Sequence, residues 1–109
     1  MNLCRGDHVR EKVKAEYIRP EQVFSPKRHW QLLYTLISGT EETEAVALGR
    51  WKGVPVIAMR WNGDSDNVLG NPQSRGLATW FRVPDRFVSS ILVVLPPEEL
   101  ALARKFLNC

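Results

Sequence analysis

"EAVALGRWKGVPVIAMRW", residues 44–61, decides the fold. Two apolar runs of equal length, 44–51 and 54–61, flank Lys52-Gly53. A two-residue spacer containing glycine is the spacing of a tight β-hairpin. Lysine suits the first turn position less well than asparagine, because that position needs a positive φ. Pro55 fits near a strand start and not its middle. The second run is apolar on both faces: Val54, Val56 and Ala58 fall on one, Ile57, Met59 and Trp61 on the other. Such a strand needs cover on both sides. Helices can cover one; a second layer or a second subunit must cover the other, so a homodimer is expected.

Upstream, "HWQLLYTLI" (29–37) fits two periodicities. Trp30, Leu33, Tyr34 and Ile37 would share a helix face; Trp30, Leu32, Tyr34 and Leu36 would share a strand face. The short polar turn "SGTEET" that joins it to the hairpin favours the strand. Before it, "GDHVREKVKAEYIRP" (6–20) predicts an N-terminal helix capped by Asp7, with Val9, Val13 and Tyr17 on one stripe and Pro20 ending it. "EQVFSPKR" reads as irregular chain. Downstream, "LATWFRV" (77–83) predicts a fourth strand. In "DRFVSSILVVL" (85–95), Phe87, Ile91, Val94 and Leu95 keep helical spacing. Pro96-Pro97 ends that helix and opens another, with Glu98 and Glu99 in its first turn and Arg104 and Lys105 in its last, as the helix dipole prefers. The expected fold is α+β: an antiparallel sheet of about four strands with an N-terminal helix and two C-terminal helices, in a single domain over 1–109.

A chain of 109 residues, 44% apolar and 25% charged, suits one globular domain. No apolar run approaches the ~20 residues of a membrane span, and the N-terminus lacks the apolar core of a signal peptide. A cytoplasmic protein without membrane contact is expected. Cys4 and Cys109 are not at zinc-ligand spacing with His8 and His29, so no metal and no cofactor are expected and the thiols are read as reduced. The net charge of +3 arises in the first 28 residues, where seven basic residues face four acidic ones. Glu11, Glu16 and Glu21 interrupt that excess, which makes the basic N-terminal helix a weak candidate for nucleic acid.

Between the strands lies a loop of residues 62–76, fifteen long, of which eleven are Gly, Pro, Asn, Asp or Ser. Loops of this length in small domains are usually functional or disordered, and Val68 and Leu69 can pin this one to the core. Asn62, Asp64 and Asp66 alternate as in a calcium loop, but Asn67 stands where glycine is needed and Gln73 where a glutamate is needed. Asx-turn chemistry accounts for the same residues. No helix follows to cradle a phosphate, and Pro72 stands where a nucleophile elbow needs glycine. What remains is a recognition surface built from Arg60, Trp61, Asn71, Gln73, Arg75 and Trp80, residue types suited to a carboxylate, a phosphate or a planar ring. Arg60 and Trp61 point to opposite faces, so they share one pocket only if the strand bends. The plainer role for these residues is structural, with Trp61 and Trp80 in the core and Arg75 and Asn71 holding loop carbonyls.

The stretch "ALGRWKGVPVIAMRWNG…GNPQSRGLATWF", within residues 47–84, resembles small bacterial proteins of unknown function of the integron mobile-gene-cassette type. "RWNG" and "GNPQSRG" are the distinctive parts. The resemblance implies a small stand-alone bacterial protein and supplies no catalytic residues. The expected function is a non-enzymatic binding or interaction module, homodimeric, that recognises a protein or small polar ligand through the 62–76 loop. The alternatives are a small enzyme acting on an anionic substrate with Arg60 or Arg75 as the anion clamp and Asp64, Asp66 or His29 as acid or base, and nucleic-acid binding through the basic N-terminal helix.

Overall fold

The computed structural model describes residues 16–108. Most of the expected N-terminal helix, with Asp7, Val9 and Val13, lies outside the described residues, as do Cys4, His8 and Cys109. Within them the chain runs through a 3-10 turn at Pro20–Gln22, then β1 (Trp30–Ile37), β2 (Glu44–Trp51), β3 (Val54–Trp61), β4 (Gln73–Ser74), β5 (Leu77–Ala78) and β6 (Phe81–Arg82). A second 3-10 turn at Asp85–Phe87 leads into α1 (Val88–Leu92) and α2 (Pro97–Leu107). The main sheet is antiparallel in the order β1-β2-β3-β6, and β4 and β5 form a separate small hairpin. The class is α+β, with a four-stranded antiparallel sheet and two C-terminal helices. Among the described residues no helix is long and apolar enough to cross a membrane.

The β2–β3 hairpin forms over the residues its pattern indicates, from Trp51 opposite Val54 to Glu44 opposite Trp61. Its turn places Lys52 at φ 52° and Gly53 at φ 86°. Two positive φ values in succession define the turn whose twist matches that of the paired strands. The small Arg75-Gly76 turn between β4 and β5 repeats this, at 53° and 79°.

Alternation along β3 sends its side chains into two separate cores. Val56 and Ala58 join Val23, Trp30, Ala47 and Trp80 on the first face. Ile57 joins Leu48, Val83, Leu92, Leu95 and Ala103 on the second, beneath the C-terminal helices. The cover over the first face is an irregular layer drawn from the chain before β1 and the chain around β4 and β5. The middle of β3, Val56 to Ala58, is therefore covered on both faces within one chain, while Val54 and Trp61 at its ends stay exposed. Trp30 lies across Gly49, where an added β-carbon would sit 2.3 Å from the indole ring. It packs against Trp51 and Trp80, with ring centroids 6.3 and 6.0 Å away.

Three expectations need correction. The shared face of β1 is divided: a register shift between Leu32 and Tyr34 leaves Trp30 and Leu32 in the first core, and Leu36 in the second. One inserted residue is enough to exchange the faces of everything after it. The fourth strand, expected over 77–83, is broken in two. Trp80 turns inward, its backbone N–H bonding to the Ser25 carbonyl at 3.0 Å, and only Phe81–Arg82 pairs with β3. In the segment after Pro84, α1 is short and the covering stripe is Val88, Ile91, Leu92 and Leu95, while Phe87 and Val94 are exposed. Val93 and Val94 are β-branched and the hydrogen bonds of Val94 and Leu95 tighten to i−3, so the last turn is not α-helical. α2 follows the expected plan and ends at Asn108 in the left-handed region.

Lys52 sits at a backbone angle that asparagine adopts at lower cost. Lys52→Asn is expected to raise unfolding free energy by about 0.5–1 kcal/mol. Urea denaturation checks this; an unchanged midpoint would mean the turn does not limit hairpin stability.

Candidate functional site

Arg60 follows Ala58 on the first face of β3 and is buried, only 2% exposed. One terminal nitrogen, Nη1, donates to the Thr79 carbonyl and the other, Nη2, to the Leu69 carbonyl. The guanidinium thus clasps both sides of the loop against the end of the sheet. Among the described residues its Nε has no partner and no carboxylate pairs with the group. Burial pushes its pKa below the ordinary arginine value. Gly70 passes directly over this fork at φ 65°; a β-carbon there would lie 2.7 Å from Arg60 Nη2 and 2.2 Å from the Trp61 carbonyl. Glycine is required by both space and angle.

Asn62 secures the start of the loop. Its Nδ2 donates to the carbonyls of Ser38 and Thr40 at 2.8 and 3.0 Å, and its backbone N–H to that of Thr43 at 2.9 Å. Asp64 Oδ1 accepts from the N–H groups of Asp66 and Asn67 at 2.9 and 2.8 Å. The alternating acids that imitate a calcium loop form an Asx turn. Gln73 Nε2 closes the loop on itself, donating to Asn67 Oδ1 at 2.9 Å and to the Gly70 carbonyl at 2.8 Å. Leu69 packs on the first core, whereas Val68 is exposed and its carbonyl accepts from Ile18 N–H at 2.8 Å. The loop is ordered by specific bonds.

The six residues expected to form one recognition surface are dispersed. Trp80 is core, 3% exposed, and its Nε1 donates to the Val23 carbonyl at 2.7 Å. Arg60 performs the carbonyl-holding role that the sequence suggested for Arg75, and Gln73 is committed inside the loop. Trp61, by contrast, is 54% exposed. Its N–H donates to the Asn71 carbonyl at 2.7 Å, and Asn71 N–H donates back at 3.1 Å. Arg75 is exposed at the tip of the β4–β5 hairpin, facing a different cavity. Arg60 is committed to two carbonyls, whereas Arg75 faces outward.

Trp61 and Asn71 line a groove of about 360 Å³ together with Glu44, Met59, Pro72 and Phe81, and Arg60 contributes to its wall. Sheet register explains the assembly: Met59 is opposite Phe81, and Glu44 is opposite Trp61. The wall is almost wholly apolar, and Phe81, like Trp61, is more than half exposed. Glu44, Met59 and Phe81 escape sequence reasoning because their value depends on cross-strand pairing. Alternation held the clue to Phe81, since a strand that buries Trp80 must turn Phe81 outward. No protein-family model, curated protein or solved structure matches the chain. The functional reading therefore rests on these side chains.

This end of the sheet is acidic. The Glu42 carboxyl lies beside that of Asp64, and this pairing and the Asp64 charge raise the Glu42 pKa, while Asp64 is held below the ordinary value by Glu42 and by the backbone N–H groups of Asn67 and Asp66. A carboxyl with a raised folded-state pKa contributes stability below its unfolded value, and that contribution is lost as pH rises. Glu42→Gln supplies a permanent donor, so its melting-temperature gain over the parent is expected to be larger at pH 7 than at pH 4. The reverse ordering would show that the two carboxyls do not interact. Arg60→Ala strands two carbonyls, one buried and one partly buried, and is expected to cost about 2–4 kcal/mol in urea unfolding; a loss under about 1 kcal/mol would remove Arg60 as the clasp.

Proposed function

We propose that the protein is a small non-enzymatic binding module, and that its groove at Trp61 and Phe81 takes a cationic segment of a partner protein. The observation that carries this reading is an exposed tryptophan and phenylalanine flanking an apolar groove, with Glu44 in its wall. Exposed aromatic side chains held on a bonded framework offer contact area at little entropic cost. An indole face attracts an ammonium or guanidinium group, and a carboxylate beside it adds charge attraction. Glu41, Glu42, Asp64 and Asp66 lie at the same end of the sheet as Glu44, which extends the complementarity to a basic segment. The 62–76 loop acts here as the support that fixes Trp61 through Asn71, with Pro72 as part of the wall.

Tryptophan fluorescence tests the reading with a ten-residue peptide of alternating arginine and leucine. Saturable binding is expected, weakened at least tenfold by Trp61→Ala or by Glu44→Lys, with melting temperatures within a few degrees of the parent. Equal binding by the matching glutamate–leucine peptide, or indifference to both substitutions, would refute it. A concentration-dependent dimer abolished by Trp61→Ala would assign the groove to a second copy of the chain instead.

A further inference from the structure

A second cavity, of about 700 Å³, lies on another part of the first-face layer. One wall is the turn before β1, where the Pro26 carbonyl accepts from His29 and Trp30 N–H at 3.1 and 2.8 Å. That turn presents Lys27, Arg28 and His29 in succession. The other wall is the β4–β5 hairpin with Arg75 at its tip. A parallel bridge between Ser25 and Thr79 joins the two walls. Among the described residues the lining holds Lys27, Arg28 and Arg75, a histidine and the hydroxyl-bearing Ser25, Ser74 and Thr79, and not one acidic side chain. Among the described residues Lys27, Arg28 and Arg75 have no carboxylate partner, since the ion pair found there joins Arg82 to Asp85.

Like charges brought to one cleft without counter-charges repel, and an anion between them relieves that repulsion. Arginine and lysine donors with hydroxyls suit the oxygens of a phosphate. The cavity has the size of a small-molecule site. Arg75 is fixed there by a turn closed at two left-handed residues, so the side chain is presented from a defined backbone.

We infer that this cleft is an anion site for a phosphate-bearing ligand, held by Lys27, Arg28 and Arg75 with His29 and Thr79 beside them. The site is separate from the Trp61 groove and does not depend on it.

Titration with inorganic tripolyphosphate, followed by amide chemical shifts at low salt, tests the assignment. Shifts are expected to concentrate at residues 25–29 and 74–79. Arg75→Asn removes the charge while retaining a residue suited to the left-handed angle, so binding is expected to weaken at least tenfold with the fold intact. Lys105→Gln on α2 removes the same charge elsewhere and is expected to leave affinity within twofold. Affinity should fall with added salt, as phosphate contacts do. A single-stranded oligonucleotide arm distinguishes the source: affinity that grows with strand length identifies phosphodiester backbone, and tight binding of tripolyphosphate alone identifies a free polyphosphate. Either outcome supports the site. Equal binding of citrate, shifts scattered over the surface, or unchanged affinity in Arg75→Asn would overturn it.

Discussion

The Arg60 guanidinium fork is the interaction on which the rest of the loop depends. It joins a strand of the sheet to two carbonyls, Leu69 and Thr79, that belong to opposite sides of the irregular layer. A buried cation held by neutral carbonyls carries a desolvation cost, and it is tolerated when the charge-assisted bonds cannot be made another way. The layer gains a rigid attachment to β3. Trp61, the next residue, points to the other face, so the strand end that anchors the loop also displays the groove aromatic. Glycine at position 70 follows from the same constraint, because any side chain would displace the fork.

The chain covers its sheet in two different ways. On the second face amphipathic helices bury Leu48, Ile57 and Val83, as the helical spacing near the C-terminus suggests. On the first, chain with little regular structure is nailed down by tryptophans and by backbone bonds such as that from Trp80 to Ser25. Such a layer has few repeating hydrogen bonds, so its order rests on individual contacts. That is why its residues carry both the loop geometry and the cationic cleft, while the sheet and helices form the scaffold.

Much of the fold was legible in residues 44–61. The hairpin, its turn and the opposite destinations of Val56 and Ile57 follow from alternation and spacing, which are local properties. The site was less legible. Arg60, Trp61 and Trp80 were recognisable as residues with a special task, yet which of them faces solvent depends on long-range contacts. Trp80 is buried because Val23, fifty-seven residues away, offers its carbonyl. The cationic cleft was illegible for the same reason: Lys27 and Arg75 line one cleft across the bridge between Ser25 and Thr79. The bulges in β1 follow no turn residue, and alternation read along the strand places Tyr34 beside Leu32 when the pairing separates them.

Those bulges have a further consequence. Among the described residues β1 is an outer strand of the main sheet, eight residues long, with Leu33 and Tyr34 nearly half exposed. A straight strand of that length with apolar side chains would offer an unpaired row of donors and acceptors to any passing chain. Two interruptions in its register, between Leu32 and Tyr34 and again between Thr35 and Ile37, prevent an even row from forming. A newcomer strand would meet mismatched spacing within a few residues. An edge strand interrupted in this way presents a less even row for another strand to pair with.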